Sequence, residues 1–325
     1  MNPRTPVVVG VGQVLNRSKD LGDAIEPIQM MLKALYRAEE DSGARLLGQV
    51  GSVRVIRGVW DYGNPAGFIA ERIGSSNSET MGTLFGGNQV QAVLNRSCLD
   101  ILSGDHDLIV LTGAENGSSS NRARKQGIQM HSTSISGSPD EIVGSQKPEH
   151  HEFEVARGIK QAIQVYPMYE NAIRYARGET MDEHLVRVSE LWSRFNEAGL
   201  ENPNAWIQTR HSAEEIRTPS SSNRAVSYPY TKMMNANMVV DMGAALILCS
   251  IEKAKQLGIE EGKWVYPYAG VQGYDHFSAS VRDNFVESPG VRITGRRVMD
   301  LACTTAEELE YVDLYSCFPS AVQVA

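Results

Sequence analysis

The sequence predicts an α/β fold, a parallel or mixed β-sheet with helices packed on its faces. Short apolar runs suited to strands buried on both faces recur at residues 5–9, 50–56 and 107–112. Stretches with helical apolar spacing separate them. Strands that alternate with helices in this way pair in parallel through crossover connections.

The first strand, 5–9, is followed by Gly10 and Gly12, read as a tight turn at its end. A dinucleotide-binding fingerprint fails there. Leu15 stands where its third glycine belongs, and no acidic residue closes a second strand about 20 residues on. Asp23 and Glu26 have capping-box spacing, and Ile25, Ile28, Leu32 and Leu35 predict a helix running to about Glu40. Residues 50–56 read as a strand and 65–73 as a short helix. Asn88 is the N-cap candidate of a helix whose stripe is Val90, Leu94, Cys98 and Ile101 and which ends near Gly104; strand 107–112 follows.

Between about Asn116 and Ser227 the alternation breaks into a serine- and glycine-rich loop, a polar stretch around Pro148 and then helical sequence, which reads as an insertion. Within it Thr180 and Glu183 form a capping box, and Leu185, Val188, Trp192 and Phe195 line one helix face. The sheet pattern returns at 244–249, with a helix at 251–257 and strands at 264–269 and 312–314. The apolar run 321–325 reads as the opening of a core helix without a terminating signal, so the sequence is expected to be a fragment of a longer fold.

Charge and composition narrow the function. Of 325 residues 42% are hydrophobic and 22% charged, as in an ordinary folded protein. The net charge of −8, without a basic run, gives no support for nucleic-acid binding. The apolar stretches are too short to span a bilayer and the N-terminus lacks a signal-peptide pattern, so a cytoplasmic location is expected. Cys98, Cys249, Cys303 and Cys317 are scattered without paired spacing, which fits reduced, mostly buried thiols and neither a disulfide framework nor a zinc site. His150 and His151 lack a carboxylate or cysteine at ligand spacing and read as a solvated loop; no metal is expected.

Gly86-Gly87-Asn88 lies directly before the helix that begins near Gln89. Helix N-termini favour anions and thiolates, so a reactive cysteine or an oxyanion would be favoured at this place. The segment from Gly87-Asn88-Gln89-Val90-Gln91-Ala92 through Ser103-Gly104-Asp105 to Val110-Leu111-Thr112-Gly113-Ala114-Glu115 resembles the nucleophile helix and following strand of the thiolase superfamily. The resemblance is closest to the sterol-carrier-protein type of thiolase and its acetyl-CoA acetyltransferase-like relatives. Arg174-Tyr175 with Gly178 and Thr180, and Asn202-Pro203-Asn204-Ala205, resemble that family's loop domain. Asp241-Met242-Gly243-Ala244-Ala245 is similar to the segment that re-enters its core sheet, and Tyr315-Ser316-Cys317-Phe318 stands in place of its Asn-Glu-Ala-Phe or His-Asp-Cys-Phe motif.

The resemblance implies two mixed, five-stranded βαβ halves with helices on both faces. The first would span residues 1–258, with a helical loop-domain insertion at about 116–227, and residues 259–325 would begin an incomplete second half. It implies a coenzyme A thioester as substrate or ligand, no other bound cofactor, a role in lipid metabolism, and a homodimer or a thiolase-like hetero-partner. The expected catalytic positions are Gly87, Asn88 and Tyr315. Two departures matter. The nucleophilic cysteine's position falls on Gly86 or Gly87, with Cys98 about three turns later, and Tyr315 replaces the family's Asn or His. A tyrosine hydroxyl can donate a hydrogen bond or act as acid or base. The family's Gly-His-Pro histidine and C-terminal cysteine would lie beyond Ala325.

Three functions follow from the resemblance. The first is acyltransferase-type, acetyl-CoA acetyltransferase-like carbon–carbon bond chemistry. The second is an aldolase reaction on acyl-CoA side chains using Tyr315. The third is non-catalytic acyl-CoA binding or scaffolding. Two-step cysteine thiolysis is not expected, because an acyl-enzyme needs a side chain to carry the acyl group.

Overall fold

In the computed structural model, which describes residues 2–145 and 147–325, the chain forms two compact units. One is Met1–Gln146 with Met238–Gly270; the other is Lys147–Asn237 with Val271–Ala325.

The first unit is built on strands β1 (Pro6–Leu15), β2 (Ser52–Val55), β3 (Glu79–Thr83), β4 (Leu108–Asn116) and β5 (Glu141–Val143). After the short strands β6 (Ala225–Ser227) and β7 (Tyr230–Thr231) of the second unit, β8 (Asp241–Ser250) completes the sheet. The order is β1-β8-β4-β2-β3-β5. β2, β3, β4 and β5 run parallel, and β8 lies antiparallel between β1 and β4. The sheet is therefore mixed, as expected, with six strands rather than five. β5 is the addition, a three-residue edge strand in the polar stretch that the sequence presents as loop. β3 also went unrecognised, because its Glu-Thr-Met-Gly-Thr lacks an apolar run.

Helices α1 (Pro27–Ser42), α2 (Pro65–Arg72), α3 (Gln89–Ser103) and α4 (Gly117–Gln126) belong to this unit. The period-two geometry of a strand shows in β4. Leu108 and Val110 join α1 and α2 in one buried cluster, while Ile109 and Leu111 join α3 in another. Helices thus cover both faces.

Gly10 and Gly12 do not form a turn. Both lie inside β1, because α1 runs directly over them. A β-carbon at Gly10 would stand 2.2 Å from the Ala38 carbonyl oxygen, and one at Gly12 would stand 2.0 Å from that of Ala34. The Asp23–Glu26 capping box does not form either. Glu26 precedes Pro27 without a side-chain cap and instead takes the Thr133 N–H at 2.8 Å, the Thr133 hydroxyl at 2.6 Å and the Tyr62 hydroxyl at 3.2 Å. The α3 stripe is rotated from expectation: Val90 is exposed, and Val93, Ser97, Asp100 and Ile101 are buried. Ser97 and Asp100 face inward because fully buried Arg54 on β2 donates to them at 3.0 and 2.5 Å.

The serine-rich stretch expected as loop is helix α4. Its cap comes from β8, where buried Asp241 accepts the N–H groups of Ser118 and Ser119 at 2.9 and 3.0 Å, and the Ser119 hydroxyl. After α9 (Ile251–Gln256), residues 264–269 make only a single bridge, Val265 to Val8, at the place where β1 shifts register. With one bridge they are not the expected strand.

The second unit holds α5 (Glu152–Ala156), α6 (Ala162–Ala176), α7 (Met181–Glu201) and α8 (Ala213–Arg217) with the antiparallel β6–β7 pair. The α7 capping box forms as expected, with Thr180 accepting from the Glu183 N–H and the Glu183 carboxylate accepting at Thr180. The core is small: Val188, Ile216, Tyr230, Met234 and Phe318. α10 (Pro289–Ala302) and α11 (Pro319–Gln323) follow. Residues 312–314, expected as a strand, are exposed and pair with no strand among the described residues, so Tyr315 does not end one.

Candidate functional site at the start of α3 and at Tyr315

The chain leaves the carboxyl end of β3, turns through Gly86, Gly87 and Asn88, and enters α3. In open α/β sheets this edge is where ligands bind. The Gly86 carbonyl accepts the Gln89 N–H at 3.1 Å, so the helical turn already begins over the glycines. Asn88 is helical (φ −67°, ψ −17°), and its side chain makes no capping bond, which corrects its expected N-cap role. Its Oδ1 folds back over Gly86 and lies 2.7 Å from where a β-carbon at that position would stand. The N–H groups of Gly87 and Asn88 have no hydrogen-bond acceptor among the described residues. Gly87 and Asn88 are exposed, so these N–H groups at a helix N-terminus are accessible to a developing negative oxygen.

No thiol stands at this turn. Cys98 lies ten residues along α3, about 15 Å at the helical rise. It is packed against the α3 cluster, and burial pushes its thiol up to about 11, against the opposing pull of Arg54.

The same edge carries a group the sequence reading did not single out. Glu115, near the end of β4, accepts the Val59 N–H at 2.7 Å, and burial raises its carboxyl above the ordinary range. Trp60 donates to the Ala114 carbonyl at 3.0 Å, with the Arg57 guanidinium over its ring at 5.1 Å. Glu115 closes one of the motif blocks that carry the family resemblance, but a lone carboxylate at a strand end has no local signal of burial.

Tyr315 belongs to the second unit. Its ring is 66% exposed, and its hydroxyl is raised by desolvation and then by neighbouring Cys317 and Glu149. The Cys317 thiol is raised by burial, opposed by hydrogen bonds from the hydroxyls of Tyr166 and Tyr315. The sequence places Cys317 among the buried thiols and in the Tyr315–Phe318 motif block, with no sign of Tyr166, which lies 151 residues earlier. Of the other cysteines, Cys249 is buried and Cys303 exposed. His151 caps α5 by accepting the Phe153 N–H, and no group of three His, Cys, Asp or Glu among the described residues could hold a metal ion. No described helix is long and apolar enough to cross a membrane.

A mixed sheet in this order, covered by helices on both faces and turning from β3 into a helix at its carboxyl edge, is a thiolase-like fold. It is similar to a monomeric SCP2-thiolase like protein type 1 from Mycobacterium smegmatis, with a TM-score of 0.79 and 26% identity, over 100% of this chain and 63% of that one. An Ltp2-ChsH2(DUF35) aldolase superposes with a TM-score of 0.71 at 16% identity, over 99% of this chain and 76% of that one. An acetyl-CoA acetyltransferase of Methanocaldococcus jannaschii is 22% identical over 226 residues, which are 69% of this chain and 50% of that protein. The chain therefore spans about half the length of the curated relative it matches. No protein-family profile matches the sequence.

Proposed function

We propose that the protein carrying this chain binds an acyl-coenzyme A thioester and makes or breaks a carbon–carbon bond in its acyl part without loading that acyl group onto a cysteine. The observation that carries this is the turn into α3, which presents the exposed N–H groups of Gly87 and Asn88 at a helix start and no thiol. Those donors suit the oxygen of a thioester enolate, and they act by charge stabilisation alone.

Of the reactions open to such a site, a retro-aldol cleavage asks least of the residues present. The proton of a β-hydroxyl passes to a base, the bond between the α- and β-carbons breaks, and its electron pair moves into the thioester enolate, which is then protonated at the α-carbon. Tyr315 is the proposed proton-transfer group, and the likeness to an aldolase supports the reading. Acyl transfer is the second reading, favoured by the likeness to an acetyl-CoA acetyltransferase, and it requires a nucleophile from another part of the protein. A homodimer or a thiolase-like hetero-partner accompanies either reading as a proposal.

One experiment separates them. The full-length protein is incubated with acetyl-CoA, and with a β-hydroxyacyl-CoA, and analysed by intact mass and product assay. Cleavage products without a protein adduct are expected. A hydroxylamine-labile acetyl adduct on a cysteine would establish acyl transfer instead, and binding without any turnover would leave a scaffold role.

A further inference from the structure

The second unit buries a charged network that the function above does not use. Glu170 is 1% exposed and His184 0%, and such burial is tolerable only when both are saturated with partners. His184 Nε2 lies 2.6 Å from Glu170 Oε1, and Nδ1 lies 2.7 Å from Glu179 Oε2. Both ring nitrogens therefore have a carboxylate oxygen within hydrogen-bond distance, and the Arg187 guanidinium also lies 3.2 Å from Nδ1. Arg187 grips Glu179 through Nε at 2.7 Å and a terminal nitrogen at 2.9 Å. Arg177 also donates to Glu179, at 2.8 Å, so the carboxylates of the row are held by guanidinium and imidazole groups.

The row continues into α11. Tyr230 donates to Glu170 Oε2 at 2.6 Å, Gln323 donates to Glu170 Oε1 at 2.7 Å, and the Ser320 hydroxyl sits 2.8 Å from that of Tyr230 and 3.2 Å from the Tyr166 carbonyl. Phe318 stacks on Tyr166 at 4.3 Å between ring centres, and the Ala236 N–H is bonded to the Cys317 carbonyl at 2.9 Å. α11 has five residues, far below the length at which a helix holds itself. Its place is set by these bonds. It starts four residues after Tyr315, and Cys317 in the stretch between is tied through its carbonyl to the Ala236 N–H.

We infer that the buried His184–Glu170 pair is a positioning device for Tyr315, acting through Tyr230, Ser320 and Gln323 on the start of α11. It rests on the proposed role of Tyr315, yet the anchoring can be read without turnover.

The test uses full-length wild type, Tyr230→Phe, Ser320→Ala and the double variant. Each single change removes one hydroxyl and leaves the His184–Glu170 hydrogen bond whole. Alkylation of Cys317 by iodoacetamide, followed by peptide mass mapping, reports whether the segment is held; kcat and the acyl-CoA Kd report the consequence. Each single variant is expected to alkylate Cys317 about tenfold faster and to lose about 10- to 100-fold in kcat at a Kd within about twofold. The double variant should be no worse than either single one, since both cut the same path. Unchanged alkylation would overturn the anchoring. Faster alkylation with wild-type kcat, where Tyr315→Phe is inactive, would overturn the positioning role and leave the proposed function standing. If Tyr315→Phe is itself silent, the proposed role of Tyr315 fails, and the inference with it, whatever the alkylation rates.

Discussion

Replacing Gly12 with alanine tests why β1 carries glycine. The new β-carbon would stand 2.0 Å from the Ala34 carbonyl oxygen and 2.7 Å from the Ala38 nitrogen. Ordinary contacts lie beyond about 3.4 Å, so the shortfall is on the order of 1 Å. Neither atom can swing aside, because both are backbone of α1. The helix must lift from the sheet, loosening Ile28, Met31 and Leu35, all fully buried against it. Forced overpacking of this kind costs about 3 kcal/mol or more. Gly199 is the control: it lies inside α7 with nothing within 4 Å of an added β-carbon, so Gly199→Ala should stabilise by up to about 1 kcal/mol. Urea unfolding of the two full-length variants against wild type measures both. Opposite signs are expected, and a Gly12→Ala stability within about 1 kcal/mol of wild type would refute the close approach of α1 to β1.

Three further outcomes follow from buried charges. Asp100→Ala leaves the fully buried Arg54 guanidinium without its 2.5 Å partner and should cost about 3–5 kcal/mol, whereas Arg54→Met combined with Asp100→Leu should recover most of it; equal losses in both by urea unfolding would contradict this. Asp241→Ala strips the cap from α4 and leaves the Ser118 and Ser119 N–H groups unpaired, so amide exchange should quicken through 117–126 before it changes in α1. Glu179 is held below the ordinary carboxylate range, chiefly by its hydrogen bond from Arg187, against the cost of burial. Its folded form binds a proton less readily than its unfolded form. The stability it contributes is therefore present above about pH 4.3 and is lost progressively as the pH falls below that. Unfolding midpoints measured from pH 6 down to pH 3 should fall less steeply in Glu179→Gln, and an unchanged slope would count against the Arg187 contact.

What could be read from the sequence was what neighbours in the chain determine. The Thr180–Glu183 capping box works across three residues, and α7 formed where it pointed. The apolar runs of β2 and β4, the Gly104 stop of α3 and the ordered motif blocks are local too, and they were enough for the thiolase-like fold class. The tertiary structure decided whatever depends on a distant partner. Gly10 and Gly12 look like turn residues until α1 is laid across them, and the serines of α4 look like loop until Asp241, more than 120 residues later, caps them. Residues 264–269 and 312–314 have strand-like composition, yet a strand exists only beside another strand, and the first finds one bridge and the second finds none among the described residues. The buried row from Glu179 through His184 and Glu170 to Tyr230 has no sequence signal. It depends on which polar groups are buried together, and only the folded chain sets that.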